Sequence, residues 1–195
     1  MNVTIAAIRS MAVTLCCVLL LAGCAQVGVG CCADLQPLPP PVQGPYRLDT
    51  GDTVRVIVYN QQSLSTDYVV SDSGTISVPT LGEVRARGLT VQDVQKEIFD
   101  GLNSGVLVNP GVSAQLVQYR PIYIVGEVNK PGQYPYTVGL NVLGAVAVAG
   151  GYTVRADSRR MSVVRGQMGR SIEWRASPLA DVQPGDVVVI HEQFF

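Results

Sequence analysis

The chain has 195 residues, with 14 Lys+Arg against 15 Asp+Glu and a formal net charge of -1. That length holds one domain or two small ones, and the near-neutral charge excludes the basic surface that nucleic-acid binding requires. The single His, His191, excludes most zinc and haem sites and Ser–His or Cys–His catalysis, and 20 Gly with 12 Pro exclude a helical bundle.

Arg9 precedes an apolar run, Met11 to Ala22, broken only by Thr14. The run is shorter than the roughly 20 residues that cross a bilayer, so it reads as a secretory leader over 1–23. Leu21-Ala22-Gly23-Cys24 resembles the lipobox of bacterial lipoproteins. The resemblance implies cleavage before Cys24 and acylation of its thiol and new amino group. Ala25, rather than Asp, implies sorting to the outer membrane. Residues 24–45 then form a lipidated tether, extended by Pro37, Pro39, Pro40, Pro41 and Pro45. Cys31 and Cys32 remain in it, either as unpaired thiols or as inter-subunit bridges.

A first module is expected over 46–119. Thr50-Gly51-Asp52 is a turn signal, and Thr53 to Tyr59 alternates as a half-buried strand. Tyr68-Val69-Val70 reads as a second strand, and Thr75 to Val78, closed by Pro79, as a third. Val91, Val94, Ile98 and Leu102 fall on one face of a helix over Val91 to Leu102. Thr90 with Asp93 forms a capping-box pattern, and Gly101 and Gly105 are candidate stops. Val112 to Val117 alternates as a further strand.

A second module is expected over 120–195. It begins with a strand at Ile122 to Val125 and a turn at Lys130-Pro131-Gly132. A short helix follows over Leu140 to Ala149, ending at Gly150-Gly151. Strands are expected at Met161 to Arg165 and Ser171 to Arg175, around a Gln167-Met168-Gly169 turn. Pro184-Gly185-Asp186 leads into a closing strand, Val187 to Ile190. Hairpin, helix, hairpin and closing strand is the order of a β-grasp fold, and both modules are α+β.

Two internal echoes stand out. Gly82-Glu83-Val84 through Gly88 matches Gly126-Glu127-Val128 through Gly132 as G-E-V-x-x-x-G, each ahead of a helix. Gly51-Asp52-Thr53-Val54 matches Gly185-Asp186-Val187-Val188. Either such turns recur by chance, or a strand–turn–helix device builds similar surfaces twice. The second reading makes Gly51, Asp52, Gly82, Glu83, Gly126, Glu127, Pro131 and Gly132 candidate interface turns. Assembly would run edge to edge, and Gly82→Arg or Gly126→Arg would impair it more than folding.

No residue pattern points to catalysis, a metal or a cofactor. Asp49 and Asp52 flank a turn glycine, which suits a turn better than a carboxylate dyad. His191 has no Cys or His companion. Arg155, Arg159 and Arg160 form the one basic cluster, either a solvated loop or an edge for an acidic sugar or partner.

Several stretches together resemble the outer-membrane polysaccharide export (OPX) family. Tyr46-Arg47-Leu48-Asp49-Thr50-Gly51-Asp52, Ser73 to Val84, Gly88-Leu89-Thr90 and Asn109-Pro110 are similar to its N-terminal polysaccharide-export domain. Tyr119 to Val128, Pro131 to Tyr134, Ala149-Gly150-Gly151 and Pro184 to Val187 resemble its soluble-ligand-binding β-grasp (SLBB) domain. The resemblance implies a non-enzymatic lipoprotein on the periplasmic face of the outer membrane of a Gram-negative bacterium. It implies a homo-oligomeric ring for capsular polysaccharide or exopolysaccharide, docked on an inner-membrane co-polymerase. Longer members carry a C-terminal membrane helix. Here five residues follow Ile190, so a separate outer-membrane β-barrel is expected to supply the pore. A monomeric periplasmic glycan-binding module is the alternative.

Overall fold

The computed structural model describes residues 35–41, 44–167 and 170–193. The leader, Cys24, Cys31, Cys32 and most of the expected tether lie outside the described residues.

Strand β1 (Thr53–Val58) buries Val54, Val56 and Val58 and turns Arg55 and Ile57 outward. It is the middle of a three-stranded antiparallel sheet, between β2 (Thr66–Val69) and β5 (Val112–Gln118). A short 3-10 turn, Gln62–Leu64, joins β1 to β2. Strands β3 (Thr75–Val78) and β4 (Gly82–Arg85) form a separate antiparallel hairpin. Helix α1 (Val91–Asn103) closes the module, burying Val94, Ile98 and Leu102 completely. Each such side chain contributes about 1.5–3 kcal/mol when removed from water.

The capping box at Thr90 and Asp93 is formed: each side chain accepts the other residue's backbone N–H. Gly101 does not stop the helix, which continues to Asn103. A Cβ at Gly101 would sit 3.1 Å from Leu81, so glycine here permits close helix–hairpin packing. Strand β2 starts two residues before Tyr68. Val70 lies beyond it, but its N–H still donates to the Asp52 carbonyl at 2.9 Å. Strand β4 was not expected.

The second core lies under a five-stranded sheet of order β7-β6-β10-β8-β9. The strands are β6 (Ile122–Gly126), β7 (Gly132–Tyr134), β8 (Ala156–Gln167), β9 (Arg170–Ala176) and β10 (Val187–Glu192). Strand β10 runs parallel to β6 and antiparallel to β8. Helix α2 (Val142–Val148) packs Val142, Ala145 and Val146 into the core, with the Asn141 side chain accepting the Gly144 N–H at 2.8 Å. Two hairpins, one helix and a parallel closing strand make this a β-grasp sheet, and the whole is α+β. Strand β7 occupies part of the expected Pro131-Gly132 turn. Strand β8 is far longer than Met161 to Arg165.

One more segment joins this sheet. Pro37 pairs in parallel with Arg175 of β9, through Leu38 N–H to the Arg175 carbonyl and Arg175 N–H to the Gln36 carbonyl, both 2.9 Å. Leu38 packs on the second core. The residues that precede the first module thus lie on the second.

Candidate functional site

The Gly-Asp echo is a real structural repeat. Gly51 and Gly185 have φ of 89° and 83°, the left-handed region that glycine enters without strain. The next residue, Asp52 or Asp186, is fully buried at the head of β1 or β10. Each carboxylate accepts the backbone N–H three residues back, Asp49 at 2.8 Å and Gln183 at 2.7 Å. Each Asp also donates its own N–H to that residue's carbonyl, at 3.1 Å in both turns. A buried carboxylate needs such donors, because desolvation of an unpaired charge is prohibitive.

The counter-groups differ. Asp186 receives Arg165 as a bidentate pair, at 2.9 and 2.8 Å, inside the second module. Asp52 receives the Tyr46 hydroxyl at 2.8 Å and the Arg120 backbone N–H at 2.7 Å. The Arg120 side chain then bridges the two turns. Its Nε donates to the Pro184 carbonyl at 3.0 Å, and its Nη1 lies 3.2 Å from Asp49. Gly185 N–H donates to the Pro121 carbonyl at 3.1 Å. A Cβ on Gly185 would stand 2.4 Å from Arg120 Nε, so glycine is required for this approach too. Asp49 is shared with Arg87 at 3.2 Å.

Aromatic rings extend this junction. Tyr119 meets Tyr46 edge-on at 4.9 Å and Tyr136 at 5.2 Å. Burial, and then the bond to Asp52, push the Tyr46 phenol far above its usual pKa, so its proton is held. Tyr46, Tyr136, Arg47, Arg120 and Pro184 line a cleft of about 530 Å³.

The other candidate turns do not gather here. Gly82 opens β4 and Gly126 closes β6, so the G-E-V echo sits at opposite ends of strands and is not one repeated device. Space around Gly82 is open, whereas a Cβ at Gly126 would fall 2.1 Å from the Ile190 carbonyl oxygen. Gly126 is thus bound to its own sheet. Glu83 accepts from Thr75 at 3.3 Å, and Glu127 from Thr153 at 2.6 Å. Pro131 and Gly132 are exposed at the β7 end. Arg155 is held by Glu192 at 2.8 Å and Arg159 lies 3.6 Å from Asp157. His191 Nε2 is 2.9 Å from the Ser162 hydroxyl, which bonds Glu173 at 2.5 Å. Ser162 lies between acid and imidazole, so the acid does not orient the ring as it would in a hydrolytic triad. Arg120 and the Tyr119 and Tyr136 rings were not singled out from sequence. Their signal was the position of Tyr119-Arg120-Pro121 between two modules that each carry a Gly-Asp turn.

These features define an α+β chain of two packed modules, the second a β-grasp. Residues 40–117 match the model for polysaccharide biosynthesis/export proteins, and residues 121–176 match the SLBB domain. The exopolysaccharide production protein ExoF of Rhizobium meliloti is 34% identical over 172 residues, covering 76% of this chain and 41% of ExoF. The EPS I polysaccharide export outer membrane protein EpsA of Ralstonia nicotianae is 27% identical over 172 residues, covering 74% of this chain and 45% of EpsA. The capsule polysaccharide export outer membrane protein CtrA of Neisseria meningitidis is 31% identical over 137 residues, covering 67% and 35%. The chain spans less than half the length of each of these relatives. It belongs to the outer-membrane polysaccharide export family, a family of export proteins and not of enzymes.

Proposed function

We propose that this protein is a lipid-anchored subunit of a periplasmic ring that conducts capsular polysaccharide or exopolysaccharide to the outer membrane. The observation that carries the reading is the export domain joined to an SLBB domain through Arg120, which holds both Gly-Asp turns at once. A conduit for a hydrated polymer needs rigid walls more than a reactive centre. Arg120 fixes the angle between modules, so repeated copies can meet in one geometry. The ring would stand on an inner-membrane co-polymerase, with Cys24 acylated and seated in the outer membrane. Two or more acyl chains anchor a protein stably. Among the described residues no helix is long and apolar enough to cross a membrane. A separate β-barrel is proposed to open the outer membrane.

Deleting the gene should leave polymer inside the cell, and the wild-type chain should restore secretion. Cys24→Ser should lose palmitate labelling and membrane association. The native mass of the detergent-solubilised protein should be several-fold that of the 20.8 kDa chain. Lipidated protein alone should bind liposomes without making them permeable to dextran. Unchanged secretion in the deletion strain would refute the reading. The tyrosine-lined cleft at the junction favours a second reading, a monomeric glycan-binding module. A monomeric native mass with measurable oligosaccharide binding would select it.

A further inference from the structure

We propose that the edge of the SLBB module where residues 35–38 join β9 rests on an anionic phospholipid surface, with Arg159 and Arg175 taking headgroup phosphates. The inference rests on the lipid-anchor reading for the nearness of a membrane, and on the structure for the surface that meets it. The chain enters the described fold at this edge, because the Gln36 carbonyl and the Leu38 N–H are both bonded to Arg175. Cys24 lies eleven residues before Leu35, a stretch that spans at most about 40 Å. A membrane that holds Cys24 therefore pulls on this edge before any other.

The side chains at this edge suit such a surface. Arg159 and Arg175 line a cleft of about 510 Å³ together with Pro37, Leu38 and Pro178. The Arg159 side chain is 85% exposed, 3.6 Å from Asp157, and the exposed Arg175 side chain forms no ion pair among the described residues. Guanidinium groups take phosphate oxygens in pairs. Leu179, between the cleft residues Pro178 and Ala180, is 74% exposed, an apolar side chain suited to the headgroup boundary. The two modules also differ in sign. Residues 46–119 carry five Lys+Arg against eight Asp+Glu, a formal charge of -3, and residues 120–195 carry eight against six, a formal charge of +2. A negative leaflet attracts the SLBB module and repels the export module. An acidic glycan would use the same guanidinium groups, but would give no reason for an exposed leucine beside them or for the chain's entry here. The acyl chains supply attachment, and the arginines set which module faces the lipid.

Fluorescent labels on the lipidated, full-length protein test this. In a Cys31→Ser, Cys32→Ser background, one protein carries a label through Leu179→Cys. A second carries it through Lys96→Cys, exposed on α1 of the export module. Vesicles are of phosphatidylcholine, with or without phosphatidylglycerol, and include a lipid with a nitroxide quencher on its headgroup. With phosphatidylglycerol the label at position 179 should be quenched and the label at position 96 should not, and high salt should reverse the effect. Adding Arg159→Gln and Arg175→Gln should weaken the contact about tenfold, while flotation shows the protein still on the vesicles. Glutamine keeps the backbone bonds that hold residues 36–38, and thermal melting checks that each variant folds. Equal quenching at both positions, or quenching indifferent to phosphatidylglycerol or to the arginines, overturns the proposal. So does arginine-dependent binding of alginate oligomers without quenching on vesicles, which would give these side chains to an acidic polymer. Failure to float on either vesicle removes the anchor and the docking together, whereas flotation without selective quenching removes the docking alone.

Discussion

The backbone N–H of Arg120 donates to the buried carboxylate of Asp52 at 2.7 Å, while the side chain of the same Arg120 reaches the turn that begins β10. One residue thereby reads the position of both modules. Asp52 also holds Tyr46 and its own turn, so its charge is the hub of the junction.

Removing that hub should cost more than removing the bridge. Asp52→Ala leaves three donors facing a cavity and should destabilise by about 3–5 kcal/mol. Arg120→Ala keeps the backbone bond and should cost about 1–3 kcal/mol. Urea unfolding of the purified protein measures both. Equal losses would mean that the side chain, and not the turn, holds the modules.

The junction also sets an alkaline limit. Tyr46 has a folded-state pKa well above the unfolded value of about 10. A group raised in this way stabilises the fold fully below the unfolded pKa, and the contribution is lost as pH rises beyond it. Burial raises Tyr68, Tyr136 and Tyr152 in the same direction. Stability should therefore fall as pH rises above about 10, more gently in Tyr46→Phe. Parallel slopes for the two proteins would contradict the assignment.

Gly126 and Gly82 should part company. Alanine at Gly126 drives a Cβ into the Ile190 carbonyl and should cost about 3 kcal/mol or more. At Gly82 the space is open and only the φ of 78° resists, so alanine should cost about 1 kcal/mol. Melting temperatures decide this. Gly82 variants that fold normally remain usable probes of assembly; Gly126 variants do not.

The capping box offers a local test. Thr90→Ala should lower stability by about 1 kcal/mol. The backbone N–H of Thr90 holds the Asp93 carboxyl below the usual carboxylate range. That contribution is present above the unfolded pKa and fades as pH falls through the folded one. Hydrogen exchange in the first turn of α1 should rise on either change.

Sequence pattern revealed the elements whose side chains alternate between core and water. Strands β1, β3 and β5 and helix α1 were legible because Val54, Val56 and Val58, or Val94, Ile98 and Leu102, repeat with the period of their backbone. The β-grasp order was legible from turns. Strands β4 and β7 were not, because a glycine opens each and few residues remain to show a period. The junction was half legible. The Gly-Asp repeat was visible, but Arg120 acts through a main-chain amide and through groups far away in the chain, which leave no local pattern. Gly126 lies exposed at the end of β6, but an echo in sequence does not report that a Cβ there would strike the Ile190 carbonyl.

The parallel pairing of β10 with β6 has a consequence for how the protein is made. The strand at the centre of the five-stranded sheet is the last of the described strands to be synthesised. The first module has all its strands once β5 is complete, but the SLBB sheet stays in two halves until Val187 to Glu192 arrives. Until then the facing edges of β6 and β8 are open, and contacts so distant in sequence form slowly. A chain emerging from synthesis would carry a finished module followed by an unfinished one. That interval, and not the native state, is where this protein is most exposed to mispairing with its own copies.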